Sequence, residues 1–324
     1  RQLYIVDNNS TDGSGEVIYD FARRHSRSGE RLYFLQTGKN LGYAGGMVYG
    51  YLNMRNPCDE VCFVANDVIL PEGELELLAS ELARFDVVQP VIYRPEGSVY
   101  SAGGMVREDG VAFDLERVPH SPRYYVTYAN GGLLCARMEI LRKLGLPFYP
   151  ETGLYLDDVL LGLRVWQVNG KVGVSAESKA IHWEGSSTRR AGEARGGNVR
   201  EYYGLRSYRV LTKIIDSGIT RSPQFRLHNE TLLPRILRVL LKFSDYYREV
   251  YRVLRSSDNL AKLLAKKYGL RHLKVEKGQT PYVKIDLPQA ISYLYARWIL
   301  PSPIKNKLNK LPLMHRIKHE GLFR

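Results

Sequence analysis

The first hundred residues alternate short apolar runs with stretches whose apolar residues recur at three- and four-residue spacing. Residues 3–6, 32–35, 61–65 and 87–92 are β-branched or aromatic, bounded by polar turn residues, and predict short buried strands. Residues 15–25, 45–55 and 73–85 carry the helical spacing between them. Strands alternating with helices imply βαβ units, so the fold class is α/β. After Ile92 the rhythm becomes rich in glycine and tyrosine. A hairpin is expected over residues 101–113 around Glu108-Asp109-Gly110, followed by a helix near Arg137, a helix over 157–168 and a short strand over 171–175. From Arg200 onward helices dominate, with apolar three-and-four spacing over 232–254 and 259–268. The expected division is an α/β unit at 1–218 and a helical region at 219–324.

Charge sharpens that division. The net charge is +13, but residues 1–218 hold 25 Lys and Arg against 27 Asp and Glu, whereas residues 219–324 hold 22 against 7. A basic tail of this kind fits phosphate-rich surfaces, either lipid headgroups or nucleic acid. With 44% hydrophobic and 25% charged residues in a chain of 324, one sizeable core is affordable. No stretch approaches the roughly 18 apolar residues of a membrane-spanning helix, and the start does not read as a signal peptide. Cys58, Cys62 and Cys135 lack framework spacing and read as small core residues in a reducing, cytoplasmic setting. The chain opens at Arg1 and enters an apolar run at once, which reads as a piece of a longer sequence.

Four constellations carry candidate chemistry. In Val6-Asp7-Asn8-Asn9-Ser10-Thr11-Asp12-Gly13-Ser14 a strand empties into a turn and a helix, so Asp7 stands where a base or ribose is read at a strand's carboxyl end, while Asp12 and Ser14 read as helix caps. Gly38-Lys39-Asn40-Leu41-Gly42-Tyr43-Ala44-Gly45-Gly46 is a glycine-rich loop opening a helix, suited to backbone approach to phosphate. It has neither dinucleotide-fingerprint nor P-loop spacing. Phe63-Val64-Ala65-Asn66-Asp67 ends a strand in an amide and a carboxylate, enough to nominate Asp67 as a ligand of a hard divalent cation otherwise held by diphosphate and water. Asp157-Asp158 at a helix start offers a general base, followed by Arg164 and by His182 at the end of another apolar stretch. Each of these also has a plainer reading as a turn, cap or dipole partner.

Their order carries more than any one of them. The series Val6–Ser14, Asn40–Gly46, Asn66-Asp67, Asp157-Asp158 with Leu163-Arg164, His182, and Tyr202-Tyr203-Gly204-Leu205-Arg206 resembles that of the family 2 glycosyltransferases, in particular the rhamnosyltransferase-like members. The resemblance implies a GT-A nucleotide-diphospho-sugar transferase fold with a mixed, mostly parallel sheet and a C-terminal helical region. It implies a nucleotide-sugar donor bound by Asp7, Asn9, Lys39, Asn40, Gly42, Gly46 and Asn66, and Mg2+ or Mn2+ held by Asp67 and His182. Asp158 then corresponds to the general base, with Asp157 in place of the usual Glu partner, and Asn130, Gly131, Gly132 and Arg206 lie on the acceptor side.

The implied reaction is an inverting transfer to a hydroxyl of a glycan or lipid-linked acceptor, as in cell-envelope polysaccharide synthesis. Ala65, Met47-Val48, Leu160 and Ser207 depart from the family pattern and bear on donor identity more than on reaction class. The family's opening strand has no counterpart here, so a central strand is expected to be missing beside residues 3–6. In the tail, residues 232–241 and 290–300 mix apolar residues with Arg235, Arg238 and Arg297, as an interfacial helix on an anionic membrane would. Packing of the same faces on the α/β unit is the competing expectation. Two other classes remain open: a nucleotide-sugar binder without turnover, and a nucleic-acid binder using the tail, which leaves the motif series unexplained.

Overall fold

The computed structural model describes residues 2–26, 31–55, 58–183, 199–275, 278 and 280–300. Strands β1 (Leu3–Asp7), β2 (Leu32–Gln36), β3 (Glu60–Val64), β4 (Val68–Ile69) and β5 (Val87–Tyr93) enclose helices α1 (Ser14–Ser26), α2 (Gly42–Leu52) and α3 (Glu74–Ser80). These follow the apolar periodicity closely. The middle of the chain adds β6 (Val99–Ser101), β7 (Gly104–Val106), β8 (Ala112–Asp114), β9 (Arg123–Tyr125), β10 (Leu133–Arg137), α4 (Met138–Leu144), α5 (Asp157–Gln167) and β11 (Val172–His182). The hairpin expected around Glu108-Asp109-Gly110 is β7–β8, which pair antiparallel, with Gly110 at φ +90° closing the turn.

The main sheet runs β3-β10-β5-β11-β4, with β6 on β5 and β9 on β11. Strands β3, β5 and β11 point the same way, and β10 lies reversed between β3 and β5. Within this mixed sheet β5 and β11 pair parallel, and β10, β4, β6 and β9 each pair antiparallel with their neighbours. Strands β1 and β2 pair parallel as a separate ribbon, and among the described residues β1 pairs only with β2 and β3 only with β10. Helix α2 links the two pieces: Ala44 and Val48 join Phe63 in the main core, while the Cα of Gly50 lies so close to Val6 that an added Cβ would stand 2.9 Å from its Cγ2.

Two expectations are corrected. The stretch read as a strand at 171–175 followed by a separate apolar segment is one strand, β11, because a shift in register between Ser175 and Lys179 lets the chain resume pairing with β5 as far as Ile181. Of the three cysteines read as unpaired core residues, only Cys58 is unpaired, and it is half-buried. Cys62 and Cys135 face each other across β3 and β10, Cα atoms 4.0 Å apart, and form a disulfide.

Beyond residue 198 come α6 (Val199–Ile214), a short pairing of Ile215–Asp216 with Leu273–Lys274, and helices α7 (Leu233–Leu240), α8 (Asp245–Tyr268) and α9 (Leu287–Ile299). The apolar spacing over 232–254 is shared by two helices, α7 and α8, which part at residues 241–244, where Ser244, in extended conformation, begins α8. The charge boundary is not a boundary in packing. Leu264, Leu270 and Leu273 share a core with Leu156, Leu160 and Val210, and α9 buries Ala290, Leu294 and Trp298. Glu108 accepts from the backbone of Ile285, and the Thr127 hydroxyl donates to the Pro281 carbonyl. For residues 290–300 the packing alternative is thus the observed one. Residues 301–324 lie outside the described residues. No helix among the described residues is long and apolar enough to cross a membrane.

Candidate active site

At the carboxyl end of β1, Asp7 is buried and accepts from the Ser10 amide at 3.2 Å and the Gln36 amide side chain at 3.1 Å. Two donors leave acceptor capacity on the carboxylate. A Cβ at Gly15 would stand 3.1 Å from Asp7 Oδ2, so the first turn of α1 approaches the carboxylate closely because that residue is glycine. Asn9 is exposed with φ +62°, a left-handed conformation that asparagine tolerates.

Asn8, which the sequence reading passed over, is the joint between the first two motifs. Its Oδ1 accepts from the Leu41 amide at 2.9 Å and the Thr37 hydroxyl at 3.2 Å, and its Nδ2 donates to the Gly42 carbonyl at 2.9 Å. Asn40 in turn accepts from the Gly42 amide at 2.9 Å. Gly42 stands at φ +71° and Gly46 faces the Asn8 side chain, while Lys39 projects to solvent. The signal for Asn8 was its place directly after a strand-end carboxylate.

At the end of β3 a tight turn sets Asn66 in solvent and Asp67 half-buried, and the chain returns as β4. Strand β4 pairs with the end of β11 with Val68 opposite His182, so the pairing itself brings Asp67 and His182 together. His182 Nε2 lies 3.1 Å from Asp67 Oδ1, and the imidazole packs edge-on against Tyr100 at 4.6 Å. Its buried Nδ1 has no hydrogen-bond partner among the described residues. One carboxylate and one imidazole at adjoining strand ends fit a divalent cation whose other positions belong to diphosphate and water. No cluster of three or more His, Cys, Asp or Glu suited to a metal occurs among the described residues.

The Asp157-Asp158 pair opens α5. Asp157 is buried, and Asp158 accepts from the amides of Val159 at 2.8 Å and Gly131 at 3.1 Å. Burial pushes Asp157 up to about 6, offset in part by backbone amides and by Arg206, and burial with the neighbouring charges of Asp157 and Asp114 holds Asp158 well above the usual carboxylate range. Just upstream, Tyr155 sits at φ +61°, costly for a bulky residue. It is held there by the Ser207 hydroxyl on its carbonyl. Arg206, expected on the acceptor side, donates to the carbonyls of Thr152 and Leu154 and stacks on Tyr203, so its visible work is to anchor the loop before α5.

Tyr43 ties the two halves together. Its hydroxyl donates to the Gly131 carbonyl, and burial, then Asp157, Asp158 and Asp67 in turn, drive its pKa well above the ordinary tyrosine value. The loop at 40–46 is thereby fastened to the Asn130-Gly131-Gly132 turn, which also bonds Ala65 next to Asp67 through the Gly132 carbonyl at 2.9 Å. Asp67, His182, Asp157, Asp158, Asn130, Gly131 and Gly132 form one neighbourhood. Asp7, Asn9, Asn40, Gly42 and Gly46 line the adjoining loops, and the side chains of Lys39 and Asn66 are exposed.

Comparison with known proteins bears on the family and the fold. Residues 1–144 match the family model described as Glycosyl transferase family 2. No curated protein matches the sequence. Among solved structures, one titled as GalNAc-T7 with UDP, GalNAc and Mn2+ is similar with TM-score 0.50 and 13% identity over 83% of this chain; the chain spans about half of that one, 52%. A structure of S. aureus TarS 1-349 in complex with UDP is similar with TM-score 0.42 and 14% identity, covering 99% of this chain and 78% of that one. Residues 1–144, which carry the motif series from Asp7 to Asp67, are thus similar to glycosyl transferase family 2, and the strands are arranged as in a GT-A fold.

Proposed function

We propose that the protein transfers a glycosyl group from a nucleotide-diphosphate sugar to a hydroxyl of a glycan or lipid-linked acceptor, with inversion at the anomeric carbon. The observation that carries this reading is the meeting of Asp67 and His182, 3.1 Å apart at neighbouring strand ends, across Tyr43 and Gly131 from a carboxylate at the head of α5. Asp7 and the loop bolted to it by Asn8 would hold the nucleotide. Asp67 and His182 would hold Mg2+ or Mn2+, which when bound supplies positive charge to the departing diphosphate. Asp158 would take the proton of the attacking hydroxyl. Its raised pKa suits that task, since a base that is too acidic cannot accept a proton in the transition state. A single displacement needs no second nucleophilic carboxylate.

The test is transfer and donor hydrolysis with a panel of UDP-, GDP- and dTDP-sugars and simple glycosides in Mn2+. Asp158→Asn should lower turnover on the order of 10²- to 10⁴-fold with donor binding retained. Undiminished turnover in Asp158→Asn would remove the assignment. Donor binding without turnover in the parent protein would favour a non-catalytic sugar-nucleotide binder.

A membrane-surface role for the tail narrows to α7 and the turn that follows it at residues 241–243. Its inner face buries Leu233 and Leu237, but Val239 at 61% and Phe243 at 73% exposure stand outward beside Arg235, Arg238 and Lys242. Flotation with anionic vesicles that is lost in Phe243→Glu supports it; equal recovery with neutral vesicles counts against it.

A further inference from the structure

We propose that Asp114, at the end of β8, is a positioning residue for Asp158, acting through Asn130 and the glycine turn at 131–132. The proposal rests on the reading of Asp158 as the general base. Neither the motif series nor the apolar pattern points to Asp114, which lies more than forty residues before the α5 pair in an ordinary hairpin strand.

The connection is continuous. Asp114 Oδ1 accepts from the Ser101 hydroxyl at 2.7 Å and from Asn130 Nδ2 at 3.0 Å. With its amide group thus oriented, Asn130 presents Oδ1 to the Gly132 amide at 2.9 Å, and its own backbone amide donates to Gln89 Oε1 at 2.6 Å. These bonds fix the turn from both sides. The Gly131 amide inside that turn then points at Asp158 Oδ2, 3.1 Å away. A carboxylate is the natural holder here, because it accepts two donors at one oxygen and so decides which end of the Asn130 amide faces the glycine turn. The Asn130 side chain with its ends exchanged would set an NH2 against the Gly132 N–H.

The same carboxylate also acts on Asp158 electrostatically. The titratable groups facing Asp158 are Asp157 on its own helix, Asp114 from the hairpin, Tyr43 from α2 and Tyr128, which is itself hydrogen-bonded to Asp114. All are acids, so removing one negative charge favours ionised Asp158.

The experiment uses the full chain labelled with 15N-glycine, in which the Gly131 amide reports the ionisation of Asp158. Asp114→Asn should displace the Gly131 cross-peak and move its titration midpoint to lower pH by on the order of half a unit. In the transfer assay it should lower kcat about tenfold with donor KM unchanged and shift the acid limb of the pH profile the same way. Asn130→Ala should displace the same cross-peak, and the double variant should lose no more kcat than the worse single one. A Gly131 resonance and titration unaltered in Asp114→Asn overturns the proposal, as do fully additive losses. If Asp114→Asn does not fold, an unmoved Gly131 peak in Asn130→Ala overturns it alone. Should no nucleotide sugar be turned over by the parent protein, the functional reading fails, while the Gly131 titration still decides whether Asp114 positions Asp158.

Discussion

Replacing Asp157 with Asn should make the protein more stable at alkaline pH and leave it nearly unchanged in acid. Burial lifts the Asp157 carboxyl from 3.8 to about 6, and the backbone amides of Asp157 and Leu156, with Arg206, offset only part of that cost. A folded-state pKa above the unfolded value means that the native state binds more protons, so stability is full below about 4, falls between about 4 and 6, and levels off above that. Two units at 1.36 kcal/mol each give about 3 kcal/mol lost by pH 8. Because Asp157 and Asp158 titrate against each other, that figure belongs to the pair as an order of magnitude. Asparagine keeps an oxygen for the Leu156 amide, 3.4 Å from Asp157 Oδ1, and carries no charge to bury. Urea unfolding at pH 4.5 and pH 8, followed by fluorescence of the three tryptophans, measures the difference directly. The account predicts a midpoint gain at pH 8 that shrinks several-fold at pH 4.5. An equal gain at both values, or a loss at pH 8, would refute the claim that the charged pair is held at a cost.

Other outcomes follow from the same geometry. Tyr155→Gly removes a bulky residue from φ +61° and should relieve on the order of 1 kcal/mol at that position, read by urea midpoint, while lost contact with Tyr203 reduces turnover. Trp298→Ala empties a fully buried site among Leu205, Leu233 and Leu294 and should cost about 3–5 kcal/mol; a cost under about 1 kcal/mol would show that α9 does not pack as described. Arg206→Ala frees the carbonyls of Thr152 and Leu154 and should lower kcat with little change in donor KM, which steady-state kinetics separates.

Strands β1, β2, β3 and β5 were legible because each is a local apolar run ending in turn chemistry, and α1 and α2 because their spacing is local too. The reversed β10 was not legible, since insertion between β3 and β5 depends on pairings such as Cys135 with Cys62, 73 residues apart. The break between α7 and α8 left the apolar spacing intact across residues 241–244. In the site, Asp7, Asp67, Asp158 and His182 announced themselves as polar residues at strand and helix ends. Asn8, Tyr43 and Asp114 act through long-range hydrogen bonds to Leu41, Gly131 and Asn130, which no local pattern encodes. The excess of positive charge after residue 218 marked a change in surface, not in packing, because apolar faces of α8 and α9 complete the same cores as α5 and α6.

The central claim is that Asp67 and His182 join a cation to a nucleotide diphosphate. Thermal melting of the parent protein and of Asp67→Asn with UDP, GDP, dTDP or CDP, each in Mn2+ and in EDTA, tests it most directly. The account predicts that one nucleotide raises the melting temperature of the parent protein in Mn2+ only, and that Asp67→Asn loses the increase. No increase with any nucleotide, or an increase that persists in EDTA and in Asp67→Asn, would contradict it.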